Sequence, residues 1–227
     1  MEHKYTFEEF CGIIERLRGK DGCPWDRIQT HESLIPCMVE EAYEVVEGVH
    51  ILSETGEAFN LCEELGDVLM QVVMHSAIAE EEGLFTLSDV TDGISRKMIH
   101  RHPHVFEKAG EARDWEELKR EEKKAQTPQE ELEHIPKAFP ALIRTQKVLK
   151  KVDHFYGYGQ DKEKSISKAK ENLERLQDEC FTGDAEELLG ETFLELVNYS
   201  RILGVNSEQA LEKSLEKLLK TLLFTKD

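Results

Sequence analysis

Apolar residues recur along this chain every three or four positions, the spacing of a helix that buries one face. Phe7, Phe10, Ile14 and Leu17 follow Thr6, and Glu9 stands three residues after it, so a capping box opens a first helix that ends near Gly19. Gly19 to Asp26 is rich in turn formers and reads as a loop carrying Trp25, whose role is weighted toward structure. From Thr30, a candidate N-cap, Leu34, Met38, Ala42, Val45 and Val49 line a long second helix, with Pro36 in its early turns as a potential kink. A third helix starts near Ala58, carries Leu61, Leu65, Val68, Leu69, Val72 and Val73, and closes at Gly83. Thr86 and Asp89 open a further helix with Val90, Ile94 and Met98, which Pro103 stops.

A shorter charged helix is expected from Trp115 to Lys124. Residues 126–140, with Pro128, Pro136 and Pro140, read as a linker. The second half repeats the helical pattern, with helices near Ala138–Lys151, Ile166–Glu179, Ala185–Leu203 and Ser207–Leu222 and a loop at residues 155–160. No stretch alternates with the period of a strand. The expected architecture is all-α, with helical domains at residues 1–125 and 141–227.

Composition agrees with this and narrows the partners. Hydrophobic residues make up 39% and charged residues 33%, a mix suited to amphipathic helices. A formal charge of -18 repels nucleic-acid backbones and anionic membranes, so neither a polynucleotide nor a membrane is an expected partner. A small polyanion still binds an acidic protein through a bridging divalent cation, which directs attention to metal use. The five cysteines are widely spaced without a C-x-x-C pair, against a disulfide scaffold or zinc ribbon. The N-terminal residues lack a signal-peptide pattern and no run of about 18 apolar residues occurs, so a cytoplasmic location is expected.

The candidate chemistry lies in carboxylates. Glu41 and Glu44 share a helix face, as do Glu64 and Asp67 on the next helix, and two antiparallel helices would bring the pairs together. Glutamates on amphipathic helices usually form solvated faces, and an isolated E-x-x-E would be read that way. Asp67 weighs against it, because it sits in the apolar run Leu65 to Val73, where an uncompensated carboxylate is costly. Magnesium takes about six oxygen ligands and is met by carboxylates and water; manganese is a possible substitute.

Glu40-Glu41-Ala42-Tyr43-Glu44 followed by Glu64-Leu65-Gly66-Asp67 resembles the double acidic motif of the MazG family of nucleoside triphosphate pyrophosphohydrolases. Residues 22–26 (Gly-Cys-Pro-Trp-Asp), 29–34 (Gln-Thr-His-Glu-Ser-Leu) and 101–106 (Arg-His-Pro-His-Val-Phe) are also similar to that family, extending the likeness over residues 5 to about 125. The resemblance implies an all-α fold, usually a homodimer, that hydrolyses a nucleoside triphosphate to the monophosphate and pyrophosphate with magnesium. Glu41, Glu44, Glu64 and Asp67 are then the metal ligands, and Glu40 or Glu41 takes the proton of the attacking water, with ligand and base left undivided. Lys97 and Arg101, four apart on one helix, match a family pair in nucleotide contact and suit phosphate oxygens, with ordinary surface pairing as the competing role. Trp115 and Lys119 resemble the family's W-x-x-x-K nucleotide contact; a tryptophan in a charged segment otherwise anchors a core. The alternative function is a catalytically weak helical protein that senses nucleotide or serves as a scaffold.

Other constellations carry less. His100, His102 and His104 lack the spacing of a zinc site and read as structural or helix-capping. In the second half Leu189-Gly190-Glu191 stands where Leu65-Gly66-Asp67 does in the first, but Leu188 replaces Glu64, and the best register sets Asn172 and Arg175 opposite Glu41 and Glu44. A register shifted by one offers Glu171 and Glu174 instead, still with Leu188. Impaired or absent hydrolysis is expected of this half, which is retained for packing, dimerisation or regulation.

Overall fold

The computed structural model describes residues 3–106, 127–178 and 183–224, and among them every regular element is helical. Contacts divide the chain into two compact units, Met1–Leu118 and Lys119–Asp227.

The first unit contains α1 (Phe7–Arg18), α2 (Pro24–Arg27), α3 (Ile35–Thr55), α4 (Phe59–Glu81), α5 (Leu87–Arg101) and α6 (Pro103–Phe106). Thr6 caps α1 as its sequence predicts: its hydroxyl accepts from the Glu9 amide at 3.2 Å, and the Glu9 carboxylate accepts from the Thr6 amide at 2.7 Å. Thr86 and Asp89 form the same reciprocal box at α5, and caps of this kind stabilise a helix by about 1 kcal/mol. Ile14, Leu34, Val73, Met74 and Ile78 form the core, so α4 is the helix on which α1 and the segment before α3 pack. Buried Arg18 at the end of α1 donates to both oxygens of Glu81 on α4, at 2.9 and 2.7 Å, and to the Asp26 carbonyl at 2.7 Å. A further tie joins His31 to His75 of α4, with their Nδ1 atoms 2.8 Å apart.

The start of the second long helix differs from expectation. Thr30 and Ser33 satisfy one another, hydroxyl to amide in both directions, and close a local turn. The helix therefore begins at Ile35, after the turn, and Pro36 falls in its first turn, where its missing N–H was never needed. It runs unbroken to Thr55 rather than kinking. Gly56, at φ 80°, caps it in the left-handed conformation, and α4 returns antiparallel within three residues.

The second unit contains α7 (Pro128–Glu133), α8 (Ala141–Tyr156), α9 (Lys162–Gln177), α10 (Ala185–Ile202) and α11 (Ser207–Phe224). Part of the proline-rich stretch read as a linker is thus the short helix α7, opened by a Thr127–Glu130 capping box and tied by buried Glu131 to Lys151 on α8. Two further helices are displaced from their expected limits: Gly157, at φ 62°, ends α8, and the Asp161 carboxylate caps α9. Asn198, 2% exposed, donates to Ser165 at 2.8 Å and to the Gly159 carbonyl at 3.2 Å, and Arg201 pairs with Asp153 at 2.8 Å. These bonds fix the 157–161 loop between α8, α9 and α10. Among the described residues no helix is long and apolar enough to cross a membrane.

Candidate functional site

The site is built on the packed pair α3 and α4, which come close together at Gly48. At Gly48, buried in α3, an added Cβ would lie 2.8 Å from the Leu61 Cα and 3.0 Å from its amide nitrogen. No other residue permits that backbone contact. Glu41 and Glu44 precede Gly48 by two turns and one turn on the same face, and Glu64 follows Leu61 by one turn on the partner helix. Close helix contact at Gly48 therefore carries the acids toward one another, and an oxygen from each of Glu41, Glu64 and Asp67 falls within 4.8 Å of the others. Glu44 adds its charge to both Glu41 and Glu64. Glu40 is exposed beside the cluster.

The electrostatics are those of a site short of positive charge. Partial burial, followed by repulsion from Asp67, Glu44 and Glu64, raises the Glu41 carboxyl above its ordinary value. Burial, then Glu44, Glu63 and Asp67, likewise raises Glu64, opposed by a hydrogen bond from Asn60. Asn60 donates that bond at 3.0 Å and so orients the Glu64 head group. Gln71, one turn beyond Asp67 on the same stripe, is 4% exposed, and its side-chain oxygen has no partner among the described residues. Three converging carboxylates form an all-oxygen donor set, which fits a hard divalent cation.

A stability effect follows, and its sign is fixed by the direction of the shifts. A carboxyl whose folded value is raised contributes stability below its unfolded value and loses it as pH rises through the folded value. Glu41 and Glu64 therefore weaken the metal-free fold near neutral pH. Millimolar magnesium or manganese should raise the melting temperature at pH 7.5, by an amount that shrinks as pH falls into the carboxylate range. Binding at a hundred times Kd corresponds to about 2.7 kcal/mol. Scanning fluorimetry reads it, and a shift that is absent, or equal at pH 5 and pH 7.5, contradicts the site.

Other candidate residues are placed as follows. Lys97 and Arg101 lie one turn apart on α5, which packs on α4; Lys97 is exposed and Arg101 half-buried. Trp115 and Lys119 lie outside the described residues. His102 caps α5, its ring Nδ1 2.7 Å from the Met98 carbonyl, and the His100–His104 stretch is absent from the metal-competent clusters among the described residues. Trp25 is exposed on α2. Sequence reading overlooked Asn60, Gln71 and Gly48. An asparagine four residues before Glu64, and a glycine inside a long helix in register with two glutamates, were the available signals.

Residues 29–106, which span α3, α4 and α5, match the model of the MazG nucleotide pyrophosphohydrolase domain. The chain is 38% identical over 215 residues to the nucleoside triphosphate pyrophosphohydrolase/pyrophosphatase MazG of Thermotoga maritima, covering 94% of this chain and 82% of that one. It is 34% identical over 218 residues to a nucleoside triphosphate pyrophosphohydrolase of Escherichia coli, covering 90% and 81%. A nucleoside triphosphate pyrophosphohydrolase of Mycolicibacterium smegmatis is 41% identical over 149 residues, covering 62% and 44%. With likeness running through both units, and the acidic residues of α3 and α4 inside the matched domain, the chain belongs to the MazG family.

Proposed function

We propose that this chain is a magnesium-dependent hydrolase of nucleoside triphosphates, releasing the monophosphate and pyrophosphate. The observation that carries this reading is the convergence of Glu41, Glu64 and Asp67 across α3 and α4. Glu41, Glu44, Glu64 and Asp67 would hold the cation, with the Asn60 hydrogen bond fixing the Glu64 head group. When bound there, magnesium supplies charge neutralisation for the triphosphate and acidifies a water ligand. The bond broken joins the α-phosphorus to the oxygen that leaves with pyrophosphate, and a carboxylate oxygen of Glu40 or Glu41 takes the proton of the attacking water. Lys97 and Arg101 hold phosphate oxygens, Trp115 stacks on the base, and Lys119 reaches a phosphate or carbonyl.

Two finer features belong to the same reading. The second unit is a degenerate MazG-like domain, a reading supported by Leu188 and Asn172 at positions where Glu64 and Glu41 stand in the first. The active species is a cytoplasmic homodimer; exposed Val39, Val46, Leu65 and Leu69 on α3 and α4 offer apolar surface for the second copy. The experiment incubates purified chain with ribo- and deoxyribonucleoside triphosphates and magnesium. Equimolar pyrophosphate and monophosphate are expected, from a species of twice the chain mass by light scattering. Triphosphate binding without pyrophosphate release would make the protein a nucleotide sensor instead.

A further inference from the structure

The pair α9 and α10 carries an inter-helix charge cluster of its own, with a different composition. Asn172 on α9 faces Glu191 on α10, its amide 3.5 Å from the carboxylate, while Glu171 and Glu174 are exposed. One turn away on each helix, the Lys168 ammonium lies 3.1 Å from the Glu195 carboxylate. Asn172 pairs with Glu191 as Glu41 neighbours Asp67, so Lys168 and Glu195 fall one turn from that pair, where the first unit has Cys37 and Gln71. Among the described residues the first unit thus gathers three carboxylates and leaves the Gln71 oxygen unpartnered, whereas the second sets an ammonium against one carboxylate, Glu195, with Glu191 one turn away.

Burial makes the pairing consequential. The Glu195 side chain is only 8% exposed, so its charge needs compensation within the fold, and Lys168 reaches it from a more open position at 44%. Glu195 and then Glu191 hold the Lys168 ammonium in its charged form, against the cost of burial; the hydrogen bond that Lys168 donates to Glu195 is the largest influence. Leu188, 4% exposed, fills with hydrocarbon the position where Glu64 offers an oxygen. The described donor set between α9 and α10 does not fit a divalent cation.

We infer that Lys168 is the built-in cation of the second unit: its ammonium, paired with Glu195 one turn from Glu191, takes the part that a metal plays among Glu41, Glu64 and Asp67, so α9 and α10 hold together without metal and bind none. The comparison rests on the first cluster being a metal site, and the test keeps the two apart. Manganese binding is followed by electron paramagnetic resonance on the full chain, alone and with Glu64→Gln plus Asp67→Asn. The doubly substituted chain should bind no manganese tightly. Residual binding that Glu191→Gln removes would overturn the inference. In parallel, Lys168→Met, Glu195→Gln and their combination form a double-mutant cycle read by urea unfolding. Lys168→Met should shift the unfolding equilibrium of the second unit about tenfold or more toward the unfolded state, Lys168→Arg should retain most of the stability, and the combination should lose less than the two single losses together. Additive losses, or a Lys168→Met chain as stable as the original, would reduce the contact to an ordinary surface pair and overturn the inference. Should the unsubstituted chain bind no manganese at all, the first-unit reading fails, and with it the metal comparison; the cycle still measures the Lys168 pairing.

Discussion

Glu64→Gln should lower pyrophosphate release by at least about a hundredfold, the scale of losing one well-placed electrostatic group at a reacting centre. The substitution removes one charge from the proposed metal site while keeping size and shape. The new side-chain oxygen can still accept from Asn60, which donates at 3.0 Å to Glu64, so the local packing survives. The stability change has the opposite sign to the activity change. Glu64 is raised by burial and by Glu44, Glu63 and Asp67, so removing its charge relieves repulsion in the metal-free chain. The variant should therefore melt no lower than the parent without metal, yet gain less from added magnesium. Asp67→Asn should behave alike. Glu191→Gln, in the second unit, should leave turnover unchanged. Full turnover by Glu64→Gln would remove the metal assignment, whereas a loss accompanied by a collapsed melting temperature would point to folding. Steady-state kinetics and melting curves with and without magnesium separate these outcomes.

Much of the scaffold was legible because it is written in local chemistry. Thr6 with Glu9 and Thr86 with Asp89 each specify a helix start through contacts three residues apart, and both appear as reciprocal capping boxes. Thr30 shows where local reading fails: the same hydroxyl that caps a helix also closes a turn, and Ser33 decides between them by returning the hydrogen bond. The carboxylates were legible as two same-face pairs, but their meeting depends on how near α3 and α4 come. That distance is set by Gly48 against the backbone of Leu61, a contact between residues that look unremarkable apart. Asn60 escaped for a related reason, since an asparagine beside a glutamate acquires meaning only when the glutamate has somewhere to point. In the second unit Lys168 was silent because its partner Glu195 lies 27 residues away on another helix.

Gly48→Ala tests the link between helix approach and chemistry. In an open helical position such a change would stabilise the chain by about 1 kcal/mol through helix propensity. Here the new Cβ would meet the Leu61 Cα at 2.8 Å, and that atom belongs to a backbone that cannot rotate away. Overpacking of this kind costs about 1–3 kcal/mol, so the net effect should be destabilising, the reverse of the propensity trend. The larger consequence is for the site. If α3 and α4 part to make room, Glu41 and Glu44 move away from Glu64 and Asp67 together, and displacements near 1 Å can cost about a hundredfold in rate. kcat/KM should therefore fall far more than stability explains, with weaker stabilisation by magnesium. Gly12→Ala on α1 is the control, since its added Cβ meets nothing within 4 Å; it should gain a little stability and keep full activity. A Gly48→Ala chain as active and as metal-responsive as the Gly12→Ala chain would show that the two acidic pairs are held in place by something other than this helix contact.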